Sequence, residues 1–261
     1  MSKMKLYIRN GRNIMRKIVG YIFSIYALLT FIIMMFLLFP FIVIASFFGK
    51  IKGGNMIYSL CRFWADVVLF LWGIRHTNIF EAPKSNSHAV IFVVNHISYM
   101  DIPFMLKAFR KDPIRILGKA EMSKVPVFGY IYRKATVMVD RHSNAGRIRS
   151  VQQLKRVLAK NISVVMAPEG TFNMTNNPLK EFYNGAFKIA IETKTNIQPV
   201  LFLDAYDRLN YHSIFSLSPG KSRAVFLPEI LPGNDMHLLK GKVYDEMENG
   251  LLRYKASWIK N

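Results

Sequence analysis

The sequence predicts an α/β domain, a central mixed sheet flanked by helices, preceded by an N-terminal hydrophobic helical membrane anchor. Three observations lead there. From His88 onward short apolar runs alternate with amphipathic stretches, the pattern of strands interleaved with helices. Residues 18–49 form a run of 32 residues without a single Asp, Glu, Lys or Arg. The composition then shifts near residue 76, which divides the chain into a basic, apolar segment 1–75 and an α/β domain 76–261.

The N-terminal run is bounded by Lys17 and Lys50, and Lys3, Lys5, Arg9, Arg12 and Arg16 precede it. As one straight helix it would measure about 48 Å at about 1.5 Å per residue, against a hydrocarbon core of about 30 Å. It must tilt or bend, and Pro40 is the expected break, because proline lacks an amide proton and crowds the preceding turn. A cleaved signal peptide is not expected, since its apolar stretch would be about 7–15 residues long. Basic residues flank the run on both sides, so the positive-inside tendency favours neither end for translocation. A re-entrant or monolayer hairpin with both ends cytoplasmic is the expectation, with a single span as the alternative. Residues 56–74 read either as a buried helix of the domain or as a helix lying in the headgroup region.

Within the domain, 88–94, 113–117, 136–139, 162–167, 197–203 and 223–227 read as strands. Ile148, Val151, Leu154 and Leu158 make one helical face. Ala186, Phe187, Ala190 and Ile191 make a second, and Leu239, Val243, Met247 and Leu251 a third.

Charge narrows the function. The chain carries 36 Lys and Arg against 16 Asp and Glu, a net +20, while 51% of it is hydrophobic. A disordered basic tail would lack that apolar content. Segment 1–75 holds ten basic residues and one acidic, and 76–261 holds 26 and 15, so the excess belongs to both parts. An anionic, apolar partner such as a membrane surface suits this balance. The basic stretch 107–134 is either a solvated face or a patch for headgroups or coenzyme A phosphates. The single Cys61 forms no disulfide within the chain, and the spacing of His76, His88, His212 and His237 suggests no metal site. His142 reads as a surface or structural residue.

Three polar clusters fall at strand exits, where α/β sheets place their chemistry: 95–101, 140–141 and 169–171. In the first, His96 and Asp101 stand five residues apart. If Asp101 opens a helix, its carboxylate can accept the imidazole Nδ1 proton and leave Nε2 as a base for a substrate hydroxyl. A strand-end histidine capped by a carboxylate is the structural alternative. Glu169 can accept hydrogen bonds or hold a basic side chain, Gly170 permits close backbone approach, and the planar fork of Arg141 suits phosphate.

Asn95-His96-x-Ser98-x-x-Asp101 resembles the first motif of the glycerolipid acyltransferases, whose best known members act on 1-acylglycerol-3-phosphate. Val139-Asp140-Arg141, Pro168-Glu169-Gly170-Thr171 and Gln198-Pro199-Val200 resemble the second, third and fourth motifs in order. Lys119-x-Glu121 and Phe182-x-x-Gly185-Ala186-Phe187 resemble intervening segments. The resemblance implies a membrane-associated O-acyltransferase on the cytoplasmic face of the cell membrane, feeding phospholipid synthesis. His96 would be the base and Asp101 its orienting partner. Asn95, Ser98, Lys119, Arg141, Glu169, Gly170 and Thr171 would contact substrate. Acyl-CoA or acyl carrier protein would be the donor and a lyso-lipid the acceptor, with no cofactor, metal or nucleic acid.

Two positions depart from the family pattern. Phe172 stands where the third motif commonly ends in Arg, and Tyr183 where a Lys often follows Phe. Lys119, Arg141 and Lys188 are the candidates to replace those cations; otherwise the acceptor is another lyso-lipid with a free hydroxyl. A thioesterase using His96 to activate water, and a non-catalytic membrane protein binding anionic lipid or nucleic acid, are the readings of other classes.

Overall fold

The computed structural model describes residues 3–83, 88–140 and 143–259, with the backbone alone for 3–14 and 16. Seven strands form one mixed sheet: β1 (Ile74–Phe80), β2 (Ile91–Val94), β3 (Ile114–Lys119), β4 (Thr136–Val139), β5 (Ser163–Met166), β6 (Ile197–Phe202) and β7 (Gly220–Phe226). Their order is β1-β7-β6-β2-β5-β3-β4. Strands β2 to β6 pair in parallel, while β7 runs antiparallel to β6 and carries β1 parallel to itself. The starts of β1 and β7 therefore lie at the same sheet edge as the ends of β2 to β6. Every residue of β2, β5 and β6 is buried, which is why they read as mainly apolar runs. Pro199 is tolerated inside β6 because the antiparallel ladder to β7 begins one residue later, at the pair Val200 and Phe226.

Six of the seven strands coincide with expected runs. Strand β1 was not expected: Arg75, His76 and Asn78 interrupt its apolar residues, and it exists because all seven residues pair with β7 at the sheet margin. The split near residue 76 marks a change of composition and cuts across this strand.

Among the helices, α5 (Asn144–Leu158) starts at Ser143, whose hydroxyl accepts the Gly146 amide, and α8 (Met236–Arg253) starts at Asp235, whose carboxylate accepts the His237 and Leu238 amides. Leu239, Val243, Met247 and Leu251 are all buried, as their spacing requires. On α5 the expected face is corrected at one position: Leu154 and Leu158 are buried, but Ile148 is 59% exposed. Helices α3 (Asp101–Ala108), α4 (Phe128–Ala135), α6 (Gly185–Thr193) and α7 (Ala205–Arg208) complete the connections.

The N-terminal segment forms α1 (Lys3–Ser46), a π-helical turn Gly49–Gly53, and α2 (Gly54–Leu71). Helix α1 runs through Pro40 without ending, which corrects the expected break, so the apolar run does not fold back on itself. The reversal comes after it, at Phe47–Gly53. The guanidinium of Arg115, on β3, holds that turn by donating to the carbonyls of Lys50 and Ile51 and to Asn55 Oδ1, and it lies over the Tyr58 ring. Residues 17–46 are long and apolar enough to cross a membrane. One side of α1 nevertheless packs on the protein: Trp72 Nε1 donates to Thr30, and Phe31 meets the Trp64 ring edge-on.

Helix α2 is buried against the domain on one side only. Ile57, Tyr58, Ala65, Val68 and Leu69 are buried against the domain, and Tyr58 accepts the Ile116 amide. Its other side leaves Met56, Phe63 and Phe70 exposed, Phe70 by 80%. On α1 the outward side likewise bares Ile25, Leu29, Ile33, Phe36 and Phe41.

Candidate active site

Strand β2 delivers the chain to Asn95, and α3 begins at Asp101. The loop between them is closed by one carboxylate oxygen. Asp101 Oδ2 accepts the amides of Ile97 at 2.8 Å and Ser98 at 3.0 Å, and lies 2.8 Å from His96 Nδ1. Asp101 is fully buried at the start of α3, where the helix dipole favours an anion. Its other oxygen has no hydrogen-bond partner among the described residues. With Nδ1–H donated to Asp101, Nε2 carries the lone pair, and the His96 side chain is 26% exposed. A base with one nitrogen held and the other open to substrate is the arrangement general base catalysis needs.

The His96 peptide is gripped from both sides by the loop after β5. Its N–H donates to Glu169 Oε1 at 2.9 Å, and its carbonyl accepts the Asn173 amide at 2.7 Å. Glu169 Oε2 accepts the Lys180 amide at 3.0 Å. Burial pushes the Glu169 carboxyl up to about 7; the amides of Lys180 and His96 oppose that, and the Asp101 charge adds to it. Gly170, at φ +74°, makes the turn that presents Glu169, and Thr171 Oγ1 accepts Lys180 Nζ at 2.6 Å.

Phe172 lies against the histidine. Its ring centroid is 4.5 Å from that of His96 in an edge-to-face contact, and 4.8 Å from that of Tyr99. Tyr183, the other departure, is 69% exposed.

Two of the expected substrate contacts are tied to the protein's own backbone. Asn95 is buried and clasps β6, its Nδ2 donating to the Phe202 carbonyl at 3.1 Å and its Oδ1 accepting the Phe202 amide at 2.7 Å. The Ser98 hydroxyl donates to the Leu209 carbonyl and accepts the Met100 amide. Both side chains brace the loop. Lys119 ends β3 at the same sheet edge, with β5 between its strand and β2. Arg141 and His142 lie outside the described residues. Three contributors were not anticipated: Lys180, the Asn173 amide, and the Phe172 ring against His96. The motif spacing signals none of them except the departure at Phe172.

A family profile described as Acyltransferase matches residues 73–203, half of the chain. The chain belongs to the acyltransferase family. A 1-acyl-sn-glycerol-3-phosphate acyltransferase of Helicobacter pylori is 23% identical to this chain over 184 residues, 70% of this chain and 77% of the relative. One from Cocos nucifera is 29% identical over 135 residues, 51% of this chain and 43% of the relative. A lyso-ornithine lipid O-acyltransferase of Pseudomonas aeruginosa is 32% identical over 121 residues, 46% and 44% of the two chains. The chain thus spans less than half the length of the last two. The crystal structure of a 1-acyl-sn-glycerophosphate acyltransferase from Thermotoga maritima shares the fold, with a TM-score of 0.71 at 20% identity over 94% of this chain and 99% of that one.

Proposed function

We propose that this acyltransferase moves an acyl group from acyl-CoA or acyl carrier protein to the sn-2 hydroxyl of 1-acyl-glycerol-3-phosphate, giving phosphatidic acid for phospholipid synthesis. The observation that carries this reading is the His96–Asp101 pair, which holds Nδ1 and leaves Nε2 to act as the base. The Ser98 hydroxyl in the same loop is committed to Leu209 and Met100. Without an acyl-enzyme, the acceptor itself attacks. His96 Nε2 takes the hydroxyl proton as the oxygen bonds to the thioester carbonyl carbon. The tetrahedral intermediate then collapses, the C–S bond breaks, and the thiol leaves with the proton returned by His96. Asp101 holds the ring and stabilises the imidazolium between the two transfers. Such a base contributes about 10²- to 10⁴-fold.

The acceptor's phosphate needs a cation near the base. Glu169 holds the Lys180 backbone on one oxygen and that of His96 on the other, which keeps Lys180 at the site without the arginine that Phe172 replaces. Lys119 and Arg141 remain candidates for the donor or acceptor phosphates. The exposed apolar sides of α1 and α2 support attachment to a membrane, and the cations around them support its cytoplasmic face.

A second acceptor is favoured by one observation. Phe172 puts an apolar ring against His96, which suits a lyso-lipid without a phosphomonoester beside its hydroxyl. The deciding experiment offers purified protein an acyl donor and a panel of lyso-lipids, with products read by mass spectrometry. Diacyl product that His96→Ala abolishes supports the reading. Thioester consumption that needs no lyso-lipid would make it a thioesterase instead.

A further inference from the structure

The connection from β6 to β7 carries an exposed apolar tip that the chemistry does not use. Residues 209–219 contain no Asp, Glu, Lys or Arg, although Arg208 precedes them and Lys221 follows. At the tip Ile214 is 64% exposed and Phe215 40%. These side chains are not bared by a loose loop. Phe215 N donates to Ser213 Oγ, Asn210 N to Ser216 Oγ, and Ser218 N to the Arg208 carbonyl, so the tip satisfies much of its own backbone. That is a condition for entering an apolar medium, where no water replaces a missing partner.

Two contacts say what the tip faces. Phe215 lies 5.6 Å from the ring of Tyr21 on α1, which joins the tip to the helix whose outward side is apolar from Ile18 onward. At the root of the same loop, the Leu209 carbonyl accepts the Ser98 hydroxyl from the His96 loop. Topology explains the convergence: β7 starts at the sheet edge where β2 ends.

We infer that residues 210–216 are a further membrane-contacting element, which seats the rim of the active site on the lipid surface. The inference rests on the reading of α1 and α2 as membrane-attached and extends it to a part of the chain far from them in sequence. The occupant is lipid because the tip continues the α1 face, has no Asp, Glu, Lys or Arg, and is backed by Tyr206 and Tyr211, rings of the kind that collect at membrane interfaces. A lyso-lipid leaving the bilayer beside Phe215 would meet the loop that braces His96.

The test uses the full chain and vesicles of phosphatidylcholine with phosphatidylglycerol. Phe215→Trp is expected to add a fluorescence component quenched by brominated acyl chains, beyond the quenching of the native tryptophans. Ile214→Asp is expected to lower turnover of vesicle-embedded lyso-lipid by roughly tenfold, about 1.4 kcal/mol, while leaving turnover of detergent-dispersed lyso-lipid unchanged. If the wild type sediments with vesicles but Phe215→Trp adds no quenching, or Ile214→Asp lowers both activities equally or neither, the inference is overturned and the α1–α2 attachment stands. If the wild type does not sediment with vesicles, both fall.

Discussion

Glu169 and His96 are joined through the main chain: the buried carboxylate of one accepts the amide of the other at 2.9 Å, across the parallel pair β2 and β5. The base is thereby held at both ends, its ring by Asp101 and its peptide by Glu169. This pairing has a titration consequence. Burial raises the Glu169 carboxyl from its ordinary 4.5 to about 7, so the folded state holds a proton that the unfolded state releases earlier. Its contribution to stability is fully present below pH 4.5 and is lost as pH rises to about 7. Relative to Glu169→Gln, the wild type is expected to lose stability across that window, by up to about 3 kcal/mol. Thermal unfolding of both proteins in detergent from pH 4.5 to 7.5 measures it; a wild type that gains stability relative to Glu169→Gln as pH rises contradicts the assignment.

His96→Ala is expected to lower kcat by about 10²- to 10⁴-fold while the protein remains folded. Asp101→Asn is expected to fall in the same range, because the neutral amide neither supports the imidazolium nor fixes the tautomer. Full activity in Asp101→Asn, measured by initial rates at saturating donor, would remove Asp101 from the mechanism.

Lys180→Ala tests the cation. A charge-assisted hydrogen bond contributes about 1.5–3 kcal/mol, so KM for lysophosphatidate is expected to rise on the order of 10- to 100-fold. The KM for a lyso-lipid without a phosphomonoester should change little. An equal rise for both would mean that the side chain holds Thr171 and the loop and does not bind phosphate.

Phe172→Arg restores the cation common to the family at this position and removes the ring beside His96. The ratio of kcat/KM for lysophosphatidate to that for a zwitterionic lyso-lipid is expected to increase at least tenfold. No change in the ratio would show that the acceptor headgroup does not pass this residue.

Arg115→Met should loosen the α1–α2 turn. The guanidinium is buried and serves the carbonyls of Ile114, Lys50 and Ile51 and the Asn55 amide oxygen. Leaving buried acceptors unpaired costs about 1–3 kcal/mol each, less what water recovers. Faster limited proteolysis at residues 47–55, with cleavage elsewhere unchanged, is the expected outcome; uniform cleavage would deny the turn its pin.

The pairing of His96 with Asp101 was legible because it is local: five residues of loop and one helix start bring the ring and carboxylate together with no help from distant strands. Glu169 was legible as a polar residue at a strand exit, but its work on the His96 amide was not, because that bond depends on β5 lying beside β2. The bracing by Asn95 and Ser98 was hidden for the same reason, their partners Phe202 and Leu209 being more than a hundred residues away. Pro40 misled because an interior proline usually breaks or kinks its helix, whereas α1 continues past it.

Composition and periodicity alone determined the apolar N-terminal segment, six of the seven strands and the residues at the strand exits. These follow from burial and from contacts within a few residues, which local sequence encodes. Only the tertiary structure decided that β1 exists, that α2 both packs on the domain and bares an apolar side, and that Phe172 stands against the base. It also placed Phe215 beside α1. Each of these is a pairing between segments far apart in the chain, set by strand order and packing, and no window of sequence contains both partners.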